Sequence, residues 1–269
     1  LPVPATIAEP FDLRFLREVN ERQVRRHLET SRRLLERLAE HEAVRALDDR
    51  DSLALFREFI AGHPEYTNLA LLDTHGLVVA TVRFAPPDPN LSLAAVPHYH
   101  DALTSAEFHV SRPYVGAQSK RWTCLLSHPV MSEGLRVGTL VLPLHLPELA
   151  DMLLIPPNRV GLSNAILDTN GIILARQPDP EAYIGRALPD FPRLKAALER
   201  GQRNDIEITG LDDRLRIVSA EYVPGTDWIM TSAVPAAAIH GAALTRFWIT
   251  CGSVLAILVA AGVLVVRYA

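Results

Sequence analysis

The sequence predicts an α+β chain: two tandem antiparallel sheets on a long N-terminal helix, followed by a C-terminal transmembrane helix. Three observations predict it. NLALLDTHGLVVATV and, about 95 residues further on, NAILDTNGIILAR repeat leucine, aspartate, threonine, glycine and alanine in one register, the mark of a duplicated sheet-building unit. Upstream, Leu16, Val19, Val24, Leu28, Leu35 and Leu38 recur at helical spacing, with arginine and glutamate on the other faces. At the far end an uncharged run from Phe247 to Val266, bracketed by Arg246 and Arg267, is long enough as a helix to span roughly 30 Å of hydrocarbon.

Each element follows from local signals. Residues 1–12 read as a leader and 13–50 as the spine. The helical pattern over Leu13–Leu47 predicts a rod of about 50 Å. Its apolar stripe can serve a dimer seam or pack on the chain's own sheets. Glu21/Arg25 and Glu29/Arg33 are favourable four-residue pairs, whereas Glu36/Glu40 is not. A shorter helix is expected at Ser52–Ala61. Asp73-Thr74-His75-Gly76 and Asp168-Thr169-Asn170-Gly171 then read as hairpin turns, with aspartate for the local hydrogen bond and glycine for positive φ.

The first unit, 51–150, continues with strands at Arg121–Val130 and Gly138–Leu144. A short helix and a proline pair at Leu146–Asn158 divide it from the second unit, 151–235. There, a helix at Leu194–Arg200 ended by Gly201 precedes strands at Arg216–Val223 and Trp228–Val234. A juxtamembrane helix over 236–246, the membrane span 247–266 and a cytoplasmic start at 267–269 complete the expected order.

Composition narrows the function. The chain has 269 residues, is 48% apolar and carries a net charge of -4, which gives no electrostatic footprint for nucleic acid. Its two cysteines, Cys124 and Cys251, belong to no metal motif. GxSxG, HExxH, GxxxxGK and GxGxxG are all missing, so no catalytic residue and no cofactor is expected. The first residue is leucine, and LPVPATIAEP lacks the charged and apolar regions of a signal peptide. The chain is therefore expected to be an excised fragment.

The long helix, ALLDTHGLVVAT, SRPYVGAQSKRWTCLLSHPV, RVGTLVLPL and ILDTNGIILARQPDPEAYIGRAL together resemble the double Cache sensor domain, whose two PAS-like sheets share one helix. The resemblance runs over about Leu13 to Pro235 and is closest in flavour to the sensors of diguanylate cyclases and histidine kinases. It implies a periplasmic or extracellular ligand-sensing region, held in the bacterial inner membrane as a homodimer and controlling a cytoplasmic cyclase or kinase. The alternatives are a chemoreceptor sensor and a structural module that binds another protein.

The family's ligand pocket usually lies in the first unit. Here that points to AAVPHYHDALTSAEFHVSRPYVGAQSKRW, in which His98, Tyr99, Arg112, Tyr114, Arg121 and Trp122 are the candidate ligand residues. Aromatic walls with one or two guanidiniums suit a small carboxylate. Arg121 and Trp122 are neighbours on a strand, so only one of them can face a pocket. Tyr99 has packing on the sheet as its competing role. His98 and His100 share a side if the stretch is extended, but two histidines make a poor metal site. Amino-acid-sensing relatives carry an arginine and a tryptophan where Val96-Pro97-His98-Tyr99 stands, and both are missing. In the second unit Asp168, Tyr183, Gly185 and Tyr222 surround a potential pocket, with Gly185 assigned to a turn.

Overall fold

The computed structural model describes residues 12–83, 91–117, 119–157 and 161–238. Helix α1, Leu13–Ala39, starts where the Asp12 carboxylate accepts from the Arg14 and Phe15 amides at 2.9 and 3.3 Å. It ends well short of Leu47. His41 caps a separate helix α2, Glu42–Arg45, through its ring nitrogen, and Asp48 caps α3, Asp49–Gly62, by accepting from the Asp51 amide at 2.8 Å. The helical periodicity runs on through both breaks, but local caps win. The spine is thus about 40 Å long rather than 50 Å.

The first sheet comprises β1 (Ala70–Asp73), β2 (Val78–Thr81), β3 (His109–Val110), β4 (Tyr114–Val115), β5 (Trp122–Ser132) and β6 (Leu135–His145). Helix α4, Pro97–Thr104, lies between β2 and β3 in the chain, and α5, Leu146–Asp151, leads out of the unit. The second unit contains β7 (Ser163–Leu167), β8 (Ile173–Gln177), α6 (Pro180–Tyr183), α7 (Phe191–Glu199), β9 (Ile206–Thr209), β10 (Leu215–Tyr222) and β11 (Ile229–Pro235). Strand order is β2-β1-β6-β5-β3 in one sheet and β8-β7-β11-β10-β9 in the other, the same topology twice.

The duplication extends to atoms. Asp73 Oδ1 accepts from the His75 and Leu77 amides at 2.9 and 2.8 Å, and Asp168 Oδ1 accepts from Asn170 and Ile172 at the same two distances. Gly76 and Gly171 follow at φ +80 and +79, backbone angles that only glycine adopts without strain.

Alternation divides each sheet into two faces. Leu71, Cys124, Leu126, Leu140 and Leu142 pack under Leu28, Leu35 and Phe56 of the helical layer. Ala70, Leu72, Leu125 and Val141 face the opposite way, towards α4. Leu16, Val24, Leu28, Leu35 and Leu38 are all buried within the chain, so the apolar stripe of α1 packs on its own sheets. Helix α1 touches β5 of the first unit and β10 and β11 of the second.

The expected membrane crossing requires correction. Among the described residues no helix is long and apolar enough to cross a membrane. The span expected at 247–266, with the 267–269 end and most of the preceding helix, lies outside the described residues. The supported fold is the pair of sheets on helices, and nothing among the described residues supports the membrane span, the membrane partner or the inner-membrane anchoring expected with it.

Candidate ligand-binding site

A cavity of about 360 Å³ opens on the α4 side of the first sheet, in the range of small-molecule sites. Its floor is built by strand alternation. Ala70 and Leu72 on β1, Thr123 on β5, and Val141, Pro143 and His145 on β6 all point to this face. Helix α4 is the lid. Pro97 fixes its first turn, and Arg136 Nη2 on β6 donates to the Ala102 carbonyl and to Thr139 Oγ1, both at 3.1 Å, tying the lid to the floor.

Of the residues expected to bind ligand, His98, Tyr99 and Tyr114 line the cavity. The His98 imidazole lies flat on the Tyr114 ring, with centroids 3.5 Å apart and planes 6° from parallel, and the Tyr99 ring tilts against it at 4.8 Å. These three aromatic rings form one wall. Because 97–104 is helical rather than extended, His98 and His100 point apart, and His100 is exposed.

Arg112, Arg121 and Trp122 are placed elsewhere. Arg112 is exposed. Arg121 precedes the strand and pairs with Glu148 of α5 at 3.2 Å. Strand β5 starts at Trp122, so its neighbour Thr123 takes the cavity face and Trp122 takes the other, where its indole covers Gly185 of the second unit. Asp168, Tyr183, Gly185 and Tyr222 divide likewise: Asp168 is committed to its turn, Tyr222 is partly exposed, and of the four only Tyr183 lines the second unit's cavity.

Sequence reasoning missed the polar floor. His145 sits between two threonines, with Thr67 Oγ1 at 2.9 Å from Nε2 and Thr123 Oγ1 at 3.0 Å from Nδ1. The single Thr123 hydroxyl proton goes to the Arg121 carbonyl at 3.0 Å. Nδ1 therefore carries the ring proton and Nε2 accepts from Thr67. Asn68, Thr81 and Ser119 add further neutral polar groups. Among the described residues no aspartate, glutamate, lysine or arginine lines this cavity. Thr67, Thr123 and His145 come from three distant stretches and carry no joint sequence signal beyond alternation.

The family model described as a Cache domain, dCache_1, matches residues 12–243. The chain belongs to the double Cache family. Many solved structures share its fold, among them three sensory domains. The ligand-binding domain of the Pseudomonas fluorescens chemoreceptor CtaA in complex with L-alanine is 20% identical, with a TM-score of 0.65, covering 83% of this chain and 96% of that one. The ligand-binding domain of the Pseudomonas aeruginosa amino-acid chemoreceptor PctB with L-Gln is 17% identical, with a TM-score of 0.65 and coverages of 87% and 97%. The extracellular domain of the histidine-kinase candidate rpHK1S-Z16 is 16% identical, with a TM-score of 0.67 and coverages of 83% and 94%. No curated protein matches the chain. As a member of the family, this double Cache domain is an extracytoplasmic sensor module and not a catalyst.

Burial sets the electrostatics of the double Cache cavity. It pushes the Tyr99 and Tyr114 phenols upward, so both remain hydroxyls and can donate. It pushes the imidazoles downward: His98 against the opposing pull of Asp101, and His145 against Glu148 with Arg121 reinforcing. His27 on α1 is lowered in the same way, with Glu65 opposing. The unfolded chain then binds protons first, starting near its ordinary value of 6.5. The stability these neutral rings contribute is complete above that value and declines as pH falls below it towards the depressed folded values. Urea midpoints taken from about pH 7 down to about pH 5 are expected to fall, and His145→Gln is expected to flatten the decline.

Proposed function

We propose that this chain is the sensory domain of a chemoreceptor and that the first-unit cavity holds an amino-acid-sized organic molecule. One observation supports this above the rest: the cavity between sheet and α4 is walled by His98, Tyr99 and Tyr114 and floored by a satisfied Thr67–His145–Thr123 network. Recognition there falls to neutral hydroxyl, amide and imidazole groups, with Leu72, Val78, Leu93 and Val141 for an apolar body. Arg112 and Arg121, expected to grip a carboxylate, are not among the residues that line this cavity.

Likeness to the CtaA and PctB ligand-binding domains supports a chemoreceptor more than the expected cyclase or kinase output. Likeness to the rpHK1S-Z16 domain makes a sensor kinase the second reading.

Thermal unfolding of the chain against L-amino acids, their amides and small polyols tests the site. A saturable rise in midpoint with one class is expected. Tyr114→Ala and Tyr99→Ala are each expected to weaken that response about tenfold or more, by removing a ring and a hydroxyl from the wall. A response that survives both substitutions would sink this site. Fusing the chain to a chemoreceptor signalling region tests the output: ligand-dependent swimming bias supports the first reading, and its failure in a ligand-binding fusion favours the kinase.

A further inference from the structure

The second unit has a smaller cavity of about 60 Å³, on the sheet face turned away from α1. A water site occupies roughly 10–15 Å³ on this scale, so the space admits about four or five non-hydrogen atoms. Most of its wall is apolar, from Leu167, Ile173, Leu188, Ile208 and Val218. Charge is concentrated at Arg176, Asp212 and Arg216.

The two arginines differ in how they are used. Arg216 is buried and committed: Nη2 and Nε reach the Asp212 carboxylate at 2.8 and 3.3 Å, and Nη1 donates to the Gly161 carbonyl at 2.9 Å and to Ser163 Oγ at 3.3 Å. Arg176 is half-buried, lies 3.5 Å over the Tyr183 ring centroid, and donates to the Pro178 carbonyl at 3.3 Å. Among the described residues no carboxylate pairs with it. Burial lowers its proton affinity, Tyr183 opposes this, the nearby Arg216 charge lowers it again, and the Asp179 carboxylate, outside the cavity lining, raises it. Two guanidiniums and one carboxylate thus line an apolar pocket, and the carboxylate that does line it, Asp212, is held by Arg216.

We propose that the second unit binds a monocarboxylate of about two or three carbons, with its carboxylate on Arg176 beside Arg216 and its alkyl end against Leu167, Ile173 and Ile208. One uncommitted guanidinium and about 60 Å³ match one small carboxylate and not two. An α-amino acid is disfavoured, since its ammonium would meet the Arg176 guanidinium while Asp212 is already occupied by Arg216. This site goes beyond the sensory reading of the first unit and does not rest on it.

Calorimetric titration of the chain with sodium acetate and propionate at fixed ionic strength tests the proposal, with acetamide, chloride and phosphate as comparison solutes. Saturable heat from acetate or propionate and none from acetamide is the expected result. Arg176→Gln is expected to weaken binding about tenfold or more. Arg193→Gln, at an exposed arginine paired with Glu207 outside the cavity, removes the same charge and is expected to leave affinity unchanged. Ala165→Leu fills the cavity without touching charge and is expected to abolish binding, its melting curve showing that it is folded. The proposal is overturned if neither carboxylate saturates, if Arg176→Gln or a folded Ala165→Leu binds as tightly as the parent, or if acetamide, chloride or phosphate binds equally well.

Discussion

Gly185→Ala is expected to lower the unfolding free energy by about 3 kcal/mol. Two effects combine. Gly185 sits at φ +84, where an L side chain costs about 1–2 kcal/mol. A Cβ there would also overlap the Trp122 indole, and overpacking costs about 1–3 kcal/mol more. The backbone cannot retreat easily, because the Gly185 amide donates to the Ile173 carbonyl at 2.8 Å and thereby joins the edge of β8. Trp122 belongs to the first unit and Gly185 to the second, so the contact locks one unit against the other. Urea titration of Gly185→Ala, Trp122→Ala and the double variant separates the two effects. With the indole gone, adding the methyl should cost only the conformational part, about 1–2 kcal/mol. A strictly additive double variant would show that Trp122 does not set the glycine requirement.

The sheets and their duplication were legible because each rests on short-range signals. Both Asp-x-x-Gly turns form the hydrogen bonds their residue types dictate, and the strands at Arg121–Val130 and Trp228–Val234 appear within a few residues of their expected ends. The spine was over-read because apolar spacing continues through 40–48, while the deciding caps are single side chains, His41 and Asp48. The expected crossing at 247–266 is a reading of composition with no counterpart among the described residues.

Part of the candidate cavity's lining was legible for the same reason. His98, Tyr99 and Tyr114 lie close together in the chain and reach one wall. Arg121 and Trp122 were drawn in by that proximity, yet one residue of register put Thr123 on the cavity face instead. Thr67 and His145 stand 78 positions apart, and only the pairing of β6 between β1 and β5 brings them together.

Asn20→Leu is expected to destabilise the chain by about 3 kcal/mol, although it replaces a poor helix former with a good one of the same heavy-atom count. Asn20 lies fully buried in the middle of α1. Its amide makes both bonds to one residue: Oδ1 accepts from the Leu154 amide at 2.7 Å, and Nδ2 donates to the Leu154 carbonyl at 3.2 Å. Asn164 of β7 donates to that same carbonyl and accepts from the Ser232 hydroxyl of β11 at 2.6 Å. The segment between the units is thus pinned to the shared helix on one side and to the second sheet on the other. Leucine would leave the Leu154 amide without its partner, at about 1–3 kcal/mol for each group so stranded. The loss should appear as a lower urea midpoint and as faster proteolytic cleavage near Leu154, and Asn20→Ala, which breaks the same bonds without adding volume, should show both; an Asn20→Ala variant with neither change would mean that the bonds to Leu154 contribute nothing. Because the clamp holds α1, the linker and β7 in one place, its release should also reduce how far ligand in the first unit protects the amides of β10 and β11 from hydrogen exchange. Undiminished protection in Asn20→Leu would mean that coupling between the units runs through Trp122 and Gly185 instead.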